Sequence, residues 1–162
     1  MASRKYAERT SVPVDRSKAE IESILKRYGA AEFGYATRGN KAAVMFSANN
    51  KHLRFVLPLP DMTEFTRSPR GRTRRSTVAT EEHAREIRRR WRALALEIKA
   101  KLEAVQTGIA IFEQEFLAQI VLPNGHTVAE TILPGIEEAY RTGQVAGLLP
   151  DFTEPARMKA MK

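Results

Sequence analysis

Between residues 67 and 92 the chain carries ten arginines, Arg67, Arg70, Arg72, Arg74, Arg75, Arg85, Arg88, Arg89, Arg90 and Arg92, against Glu81, Glu82 and Glu86 and no lysine. This segment holds +7 of the formal net charge of +8. A guanidinium stays protonated at any physiological pH and presents its donors as a planar fork, so such a run suits bidentate contact with phosphate or carboxylate rather than acid–base catalysis. The chemistry on offer is the binding of a polyanion.

Helical spacing divides these cations into two sets. From Thr80 onward the apolar positions Ile87, Trp91, Leu94, Ile98, Leu102 and Val105 fall within an arc of about 80° at 100° per residue, while Arg85, Arg88, Arg89, Arg92 and Lys99 fall within about 100° on the opposite side. One face goes to a core and the other to solvent or a ligand. Glu81 to Arg85 and Glu86 to Arg90 are favourable i, i+4 pairs, yet Arg85/Arg89 and Arg88/Arg92 set like charges one turn apart, each costing roughly 0.2–0.5 kcal/mol. A solvated face gains nothing from that arrangement, whereas a bound phosphate reverses its sign. The expected nucleic-acid contacts are therefore Arg85, Arg88, Arg89 and Arg92 on the helix, with Arg70, Arg72, Arg74 and Arg75 in a loop that orders on contact. DNA and RNA both satisfy this pattern, and so does an acidic protein surface.

Other chemistry is poorly represented. Cys is absent, which removes disulfides, thiolate metal sites and a Cys nucleophile. His52, His83 and His126 are isolated, with no spacing that sets two metal ligands on one helix face. Asp61 with the later Glu97-Ile98-Lys99 mimics the acidic pair and lysine of one nuclease family, but that chemistry wants the Glu and Lys on a strand beside the Asp, and here they fall in the strongest helix. No Gly-rich phosphate cradle or nucleophile elbow occurs. The aromatic residues Phe33, Tyr35, Phe46 and Phe55 alternate with small or polar residues and would serve either as core or as a base-stacking platform; core is favoured, because the helices have no other surface to cover. The expectation is a non-enzymatic binding protein with no cofactor and no metal.

The elements that must position the arginines follow from periodicity. Ser17-Lys18-Ala19-Glu20 has the pattern of a capping box, followed by Ile21, Ile24, Leu25 and Tyr28 at helical spacing and Gly29 as a left-handed stop. Ser11-Val12-Pro13-Val14 before it reads as a short extended edge segment. The period then changes to two: Phe33 and Tyr35, Val44 and Phe46, and Leu53, Phe55, Leu57 and Leu59 mark three strands, joined by turns at Arg38-Gly39-Asn40-Lys41 and Asn49-Asn50-Lys51 and ended by Pro58 and Pro60. Residues 61–79 have almost no apolar content and read as a mobile Arg-rich loop. After Gly108, Ile109, Phe112, Phe116 and Ile120 resume a helical stripe; Pro123-Asn124-Gly125 is a turn; Thr127-Val128-Ala129-Glu130 opens a last helix with Pro134 near its first turn, Ile136 and Tyr140 as contacts and Gly143 as its end.

One shared core satisfies the meander and both amphipathic helices, which predicts a single α+β domain: a small antiparallel β-meander covered on one face by helices, with a C-terminal helical subregion. Its parts are a flexible N-terminus over 1–10, a β-α-β-β-β unit over 11–60, the loop over 61–79, a helical part over 80–146 and a tail over 147–162. No apolar run approaches the roughly 18 residues of a membrane span and the first residues lack a signal-peptide stretch, so a cytoplasmic protein without membrane contact is expected.

The segments Val12-Pro13-Val14-Asp15-Arg16-Ser17-Lys18-Ala19-Glu20-Ile21, Trp91-Arg92-Ala93-Leu94 through Lys99-Ala100-Lys101-Leu102-Glu103-Ala104-Val105, Leu122-Pro123-Asn124-Gly125 and Tyr140-Arg141-Thr142-Gly143 resemble small basic proteins of unassigned activity carried by bacteriophages, prophages and mobile elements. The resemblance spans most of the chain. It implies a bacterial host cytoplasm and a role in genome handling or in contact with a host or phage protein. It brings no catalytic motif.

Overall fold

The computed structural model describes residues 3–68, 70–145 and 147. Helix α1, Ser3–Arg27, turns Ile21, Ile24 and Leu25 inward, where all three are buried. Gly29 at φ 75° ends it, and the amide of Ala30 returns to the carbonyl of Leu25 at 3.0 Å, the left-handed closure that a residue without Cβ makes at no steric cost.

Strands β1, Glu32–Arg38, β2, Lys41–Ala48, and β3, Lys51–Pro58, pair antiparallel in the order β1-β2-β3. Their hairpins are two-residue turns. Gly39 takes φ 57° in the first; Asn49 and Asn50 take φ 49° and 56° in the second, the double left-handed geometry whose twist matches that of the strands. In this register Ala42, Val44, Phe46, Leu53, Phe55 and Leu57 point to one face and are buried. Met45 and Val56, on the other face, stay 38% and 44% exposed.

Helix α2, Ser76–Gln106, covers the buried face together with α1. Trp91 is 3% exposed, set edge-on to Tyr35 at 6.1 Å and capped by the Lys18 ammonium at 5.2 Å. The Tyr28 hydroxyl donates to the Glu103 carboxylate at the far ends of the same two helices, so α1 and α2 run side by side in one sense. Phe46 and Phe55 stack at 6.1 Å, and Phe116 closes the core edge-on to both. The base rests on α3, Phe112–Glu115, and a 3-10 turn at Leu117–Gln119; Ile120 bridges Leu53 at the margin of β3.

Helix α4, Val128–Thr142, starts on the expected capping box: the Thr127 hydroxyl accepts from the Glu130 amide at 3.1 Å and Glu130 Oε2 accepts from the Thr127 amide at 2.8 Å. The same carboxylate accepts from Arg54 Nη2 at 2.6 Å and so ties the helix to β3. These contacts, the Thr127 amide first and then the Arg54 charge, hold the Glu130 carboxyl below its ordinary value.

The α+β architecture, the meander and the two amphipathic stripes are as expected, and five local expectations are corrected. The first helix is 25 residues long and takes in both the presumed extended segment Ser11–Val14 and most of the N-terminal stretch. Pro13 forfeits one intrahelical bond, and no described strand pairs with residues 11–14 to reward an extended alternative. Ser17 is accordingly a buried mid-helix residue rather than a cap. Helix α2 begins at Ser76, not Thr80, so Glu81 and Glu82 fall in its second turn and its first turn holds no acid. Residues 109–120 form one short helix and a 3-10 turn in place of a stripe, with Ile109 82% exposed. In α4, Pro134 is interior and Tyr140, expected as a contact, is 91% exposed. The expected tail lies outside the described residues apart from Gly147.

Candidate nucleic-acid interface

The segment leading into α2 is less featureless than its composition suggests. Asp61 caps a 3-10 turn at Met62–Phe65 through the Thr63 amide and hydroxyl, at 2.8 and 2.7 Å, which lowers its carboxyl pKa. Phe65 meets the His83 ring edge-on at 5.5 Å, and a His83 ring nitrogen lies 3.0 Å from the Pro60 carbonyl, so this turn is docked on α2. A bridge between Arg67 and Thr73 then closes a small loop, inside which the Ser68 amide donates to the Arg72 carbonyl at 2.8 Å. Gly71 turns it at φ 77°.

The eight expected contacts separate within this frame. Arg70 and Arg72 stand exposed on the loop and Arg75 is exposed at the N-cap position of α2. Arg74 is turned back: its backbone amide donates to the Thr66 carbonyl and its guanidinium is ion-paired with Glu82, both side chains partly covered. On α2, Arg85 and Arg92 are exposed and Arg88 is half-buried, all three without a carboxylate partner among the described residues. Arg89 differs. It is held by Glu86 through two parallel bonds, Nε at 2.8 Å and Nη2 at 2.9 Å, while Arg90 Nε shares Glu86 at 2.9 Å and its Nη1 donates to the Pro58 carbonyl at 2.7 Å. The expected Glu81–Arg85 pair does not form among the described contacts, whereas the Glu86–Arg90 pair does.

The two guanidinium groups hold the Glu86 carboxyl down to about 2, their hydrogen bonds outweighing desolvation; in return Glu86 raises the pKa of Arg89. Six of the eight cations, Arg70, Arg72, Arg75, Arg85, Arg88 and Arg92, thus remain uncompensated by described acids. Arg70, Arg72 and Arg75 lead into a 31-residue helix whose first turn has no acid and no side-chain cap, so that the positive end of the backbone dipole adds to the field at Arg75, while Arg85, Arg88 and Arg92 lie further along the same helix. Arg67 and Lys99, exposed and likewise unpaired with a described carboxylate, extend the surface at its two ends; the charge count over residues 67–92 contains Arg67, and the cationic arc of the helix contains Lys99.

The aromatic platform is not assembled: Phe46 and Phe55 are buried and Phe33 and Tyr35 are half-covered on the core side. Burial, with a smaller effect of the Glu22 charge, pushes the Tyr35 phenol up to about 12. Glu97 and Lys99 are on α2 and Asp61 is spent in its cap, so the nuclease-like trio does not converge. Among the described residues no group of His, Asp and Glu is arranged to hold a metal. A groove of about 610 Å³ between β3, α2 and the start of α4 contains Glu97 and Glu130, the latter already committed to its cap and to Arg54.

Fold and site together define an α+β protein with an uncompensated arginine surface on one long helix and its lead-in loop. Comparison with protein-family models, curated proteins and solved structures finds no match to this chain. No described helix is long and apolar enough to cross a membrane.

Proposed function

We propose that this protein is a non-enzymatic nucleic-acid-binding protein that grips phosphates through Arg70, Arg72, Arg75, Arg85, Arg88 and Arg92, with Arg74 and Arg89 joining once their internal partners are displaced. The observation that carries the reading is the inequality within one helix: Glu86 compensates Arg89 and Arg90, while Arg85, Arg88 and Arg92 lack any described acid. Three exposed or half-exposed cations over eight residues, about 10 Å of helix, repel one another in the free protein and are relieved by a phosphate chain laid along them. Contacts of this kind position a backbone and carry little sequence preference. The resemblance to phage and mobile-element proteins fits such a role in a bacterial cytoplasm.

An acidic protein surface would meet the same cations. A pull-down from bacterial lysate, repeated after nuclease treatment, separates the two: partners that vanish were bridged by nucleic acid, and a single partner that survives with undiminished yield overturns the reading. A gel-shift panel of single- and double-stranded DNA and RNA identifies the preferred ligand.

A further inference from the structure

The two edges of the sheet are treated differently. Along β3, the Val121 amide donates to the His52 carbonyl at 2.8 Å, Ile120 bridges Leu53, and Pro58, which has no amide, has its carbonyl taken by Arg90. These are the usual ways of blunting an edge. The outer edge of β1 has none of them. All seven residues from Glu32 to Arg38 pair one for one with β2, no Pro or Lys interrupts them, and no described strand or bridge other than β2 pairs with the strand's backbone; α1 and α2 touch it from the core face, through the side chains of Phe33 and Tyr35, whose hydroxyl donates to the Lys18 carbonyl at 2.8 Å. Because Arg38 and Lys41 form the pair next to the two-residue turn, the backbone groups of Phe33, Tyr35 and Thr37 face away from β2. Phe33 and Tyr35, although on the core side, are only half-covered, whereas Phe46 and Phe55 one and two strands in are buried.

We infer that β1 is the dimer interface of this protein, pairing antiparallel with β1 of a second copy about a two-fold axis at Tyr35. The strand is self-complementary in that register. Glu32 of each copy stands opposite Arg38 of the other, Phe33 opposite Thr37, Gly34 opposite Ala36, and Tyr35 opposite itself; every pair shares a face, and the outward amides of Phe33, Tyr35 and Thr37 meet outward carbonyls. Neither Glu32 nor Arg38 has an ion-pair partner among the described residues of its own chain, and both are exposed. A shift of the register by two residues loses both charge pairs. The product is a continuous six-stranded sheet with both helical layers on one side, so the two α2 surfaces face the same way. The inference stands whether or not those surfaces bind nucleic acid.

Sedimentation equilibrium of the nuclease-treated full chain tests it, with a set of charge swaps. The wild type is expected to dimerise reversibly, to twice the 18.2 kDa of the chain. E32R and R38E each place like charges at both ends of the pairing and should raise the dimer dissociation constant about tenfold or more. The double variant E32R/R38E, and a mixture of the two single variants, restore opposite charges at both ends and should recover association. Circular dichroism checks that each variant keeps its fold, as substitution at these exposed positions should allow. A monomer at all concentrations, single variants that associate as the wild type does, or a double variant as weak as the singles would each overturn the inference.

Discussion

Glu86 grips Arg89 with two parallel hydrogen bonds, at 2.8 and 2.9 Å, within a single turn of α2. This internal fork divides a helix face that looks uniformly cationic into a compensated part and an uncompensated part. Glu86 acts as an intramolecular stand-in for the anion that the remaining arginines lack, and it competes with any external one.

Removing the competitor should therefore strengthen binding. In Glu86→Gln the chain gains one unit of positive charge and Arg89 is released, while Arg90 keeps its bond to the Pro58 carbonyl. Affinity for a short labelled duplex or single strand, read by fluorescence anisotropy, should rise by about two- to fivefold, the factor equivalent to a surface ion pair of about 0.4–1 kcal/mol. An unchanged or weakened affinity would place Arg89 outside the contact surface.

The same carboxylate contributes to acid lability with a definite sign. Its folded pKa of about 2 lies below the ordinary 4.5, so the unfolded chain binds this proton more readily. The contribution is complete above about pH 4.5 and disappears as the pH falls towards about 2. Asp61 and Glu130 are also lowered and titrate on the acid side, so the comparison must be differential. The melting temperature of the wild type should exceed that of Glu86→Gln at neutral pH and converge on it near pH 2. A constant gap across that range contradicts the assignment.

The loop tip and the helix should be separable. Replacing residues 68–72 by Asn-Gly inside the Arg67–Thr73 bridge removes Arg70 and Arg72 while sparing the Arg74–Glu82 pair and the start of α2. The melting temperature should change by no more than about 4 °C, and the slope of log K against log[salt] should become shallower by about 2. Global unfolding would show that the loop is part of the core, and an unchanged slope would show that its arginines meet no phosphate.

Short-range chemistry was legible in the residues themselves: the strand alternation around Val44, Phe46, Leu53 and Phe55, the paired asparagines of the second hairpin, the Thr127–Glu130 box and the division of α2 into two faces. What escaped depends on contacts distant in sequence or on competition between equally plausible local signals. Ser17 and Glu20 have the spacing of a cap, yet a helix already running through Pro13 leaves Ser17 no terminus to serve. Arg74 has the composition of a loop cation and turns inward because α2, starting four residues earlier than its periodicity suggests, brings Glu82 to it. Periodicity also cannot tell that Tyr140 lies on a side of α4 that no described element covers.

The central claim is that the six uncompensated arginines meet phosphates. It is tested most directly by titrating binding to one nucleic acid of fixed length against salt from about 50 to about 200 mM. With six phosphate contacts, log K should fall with log[salt] at a slope of roughly −4 to −5, and the triple variant R85Q/R88Q/R92Q should lower the steepness by about 3. Binding that does not change with salt across that range, or a triple variant with the wild-type slope, would contradict it.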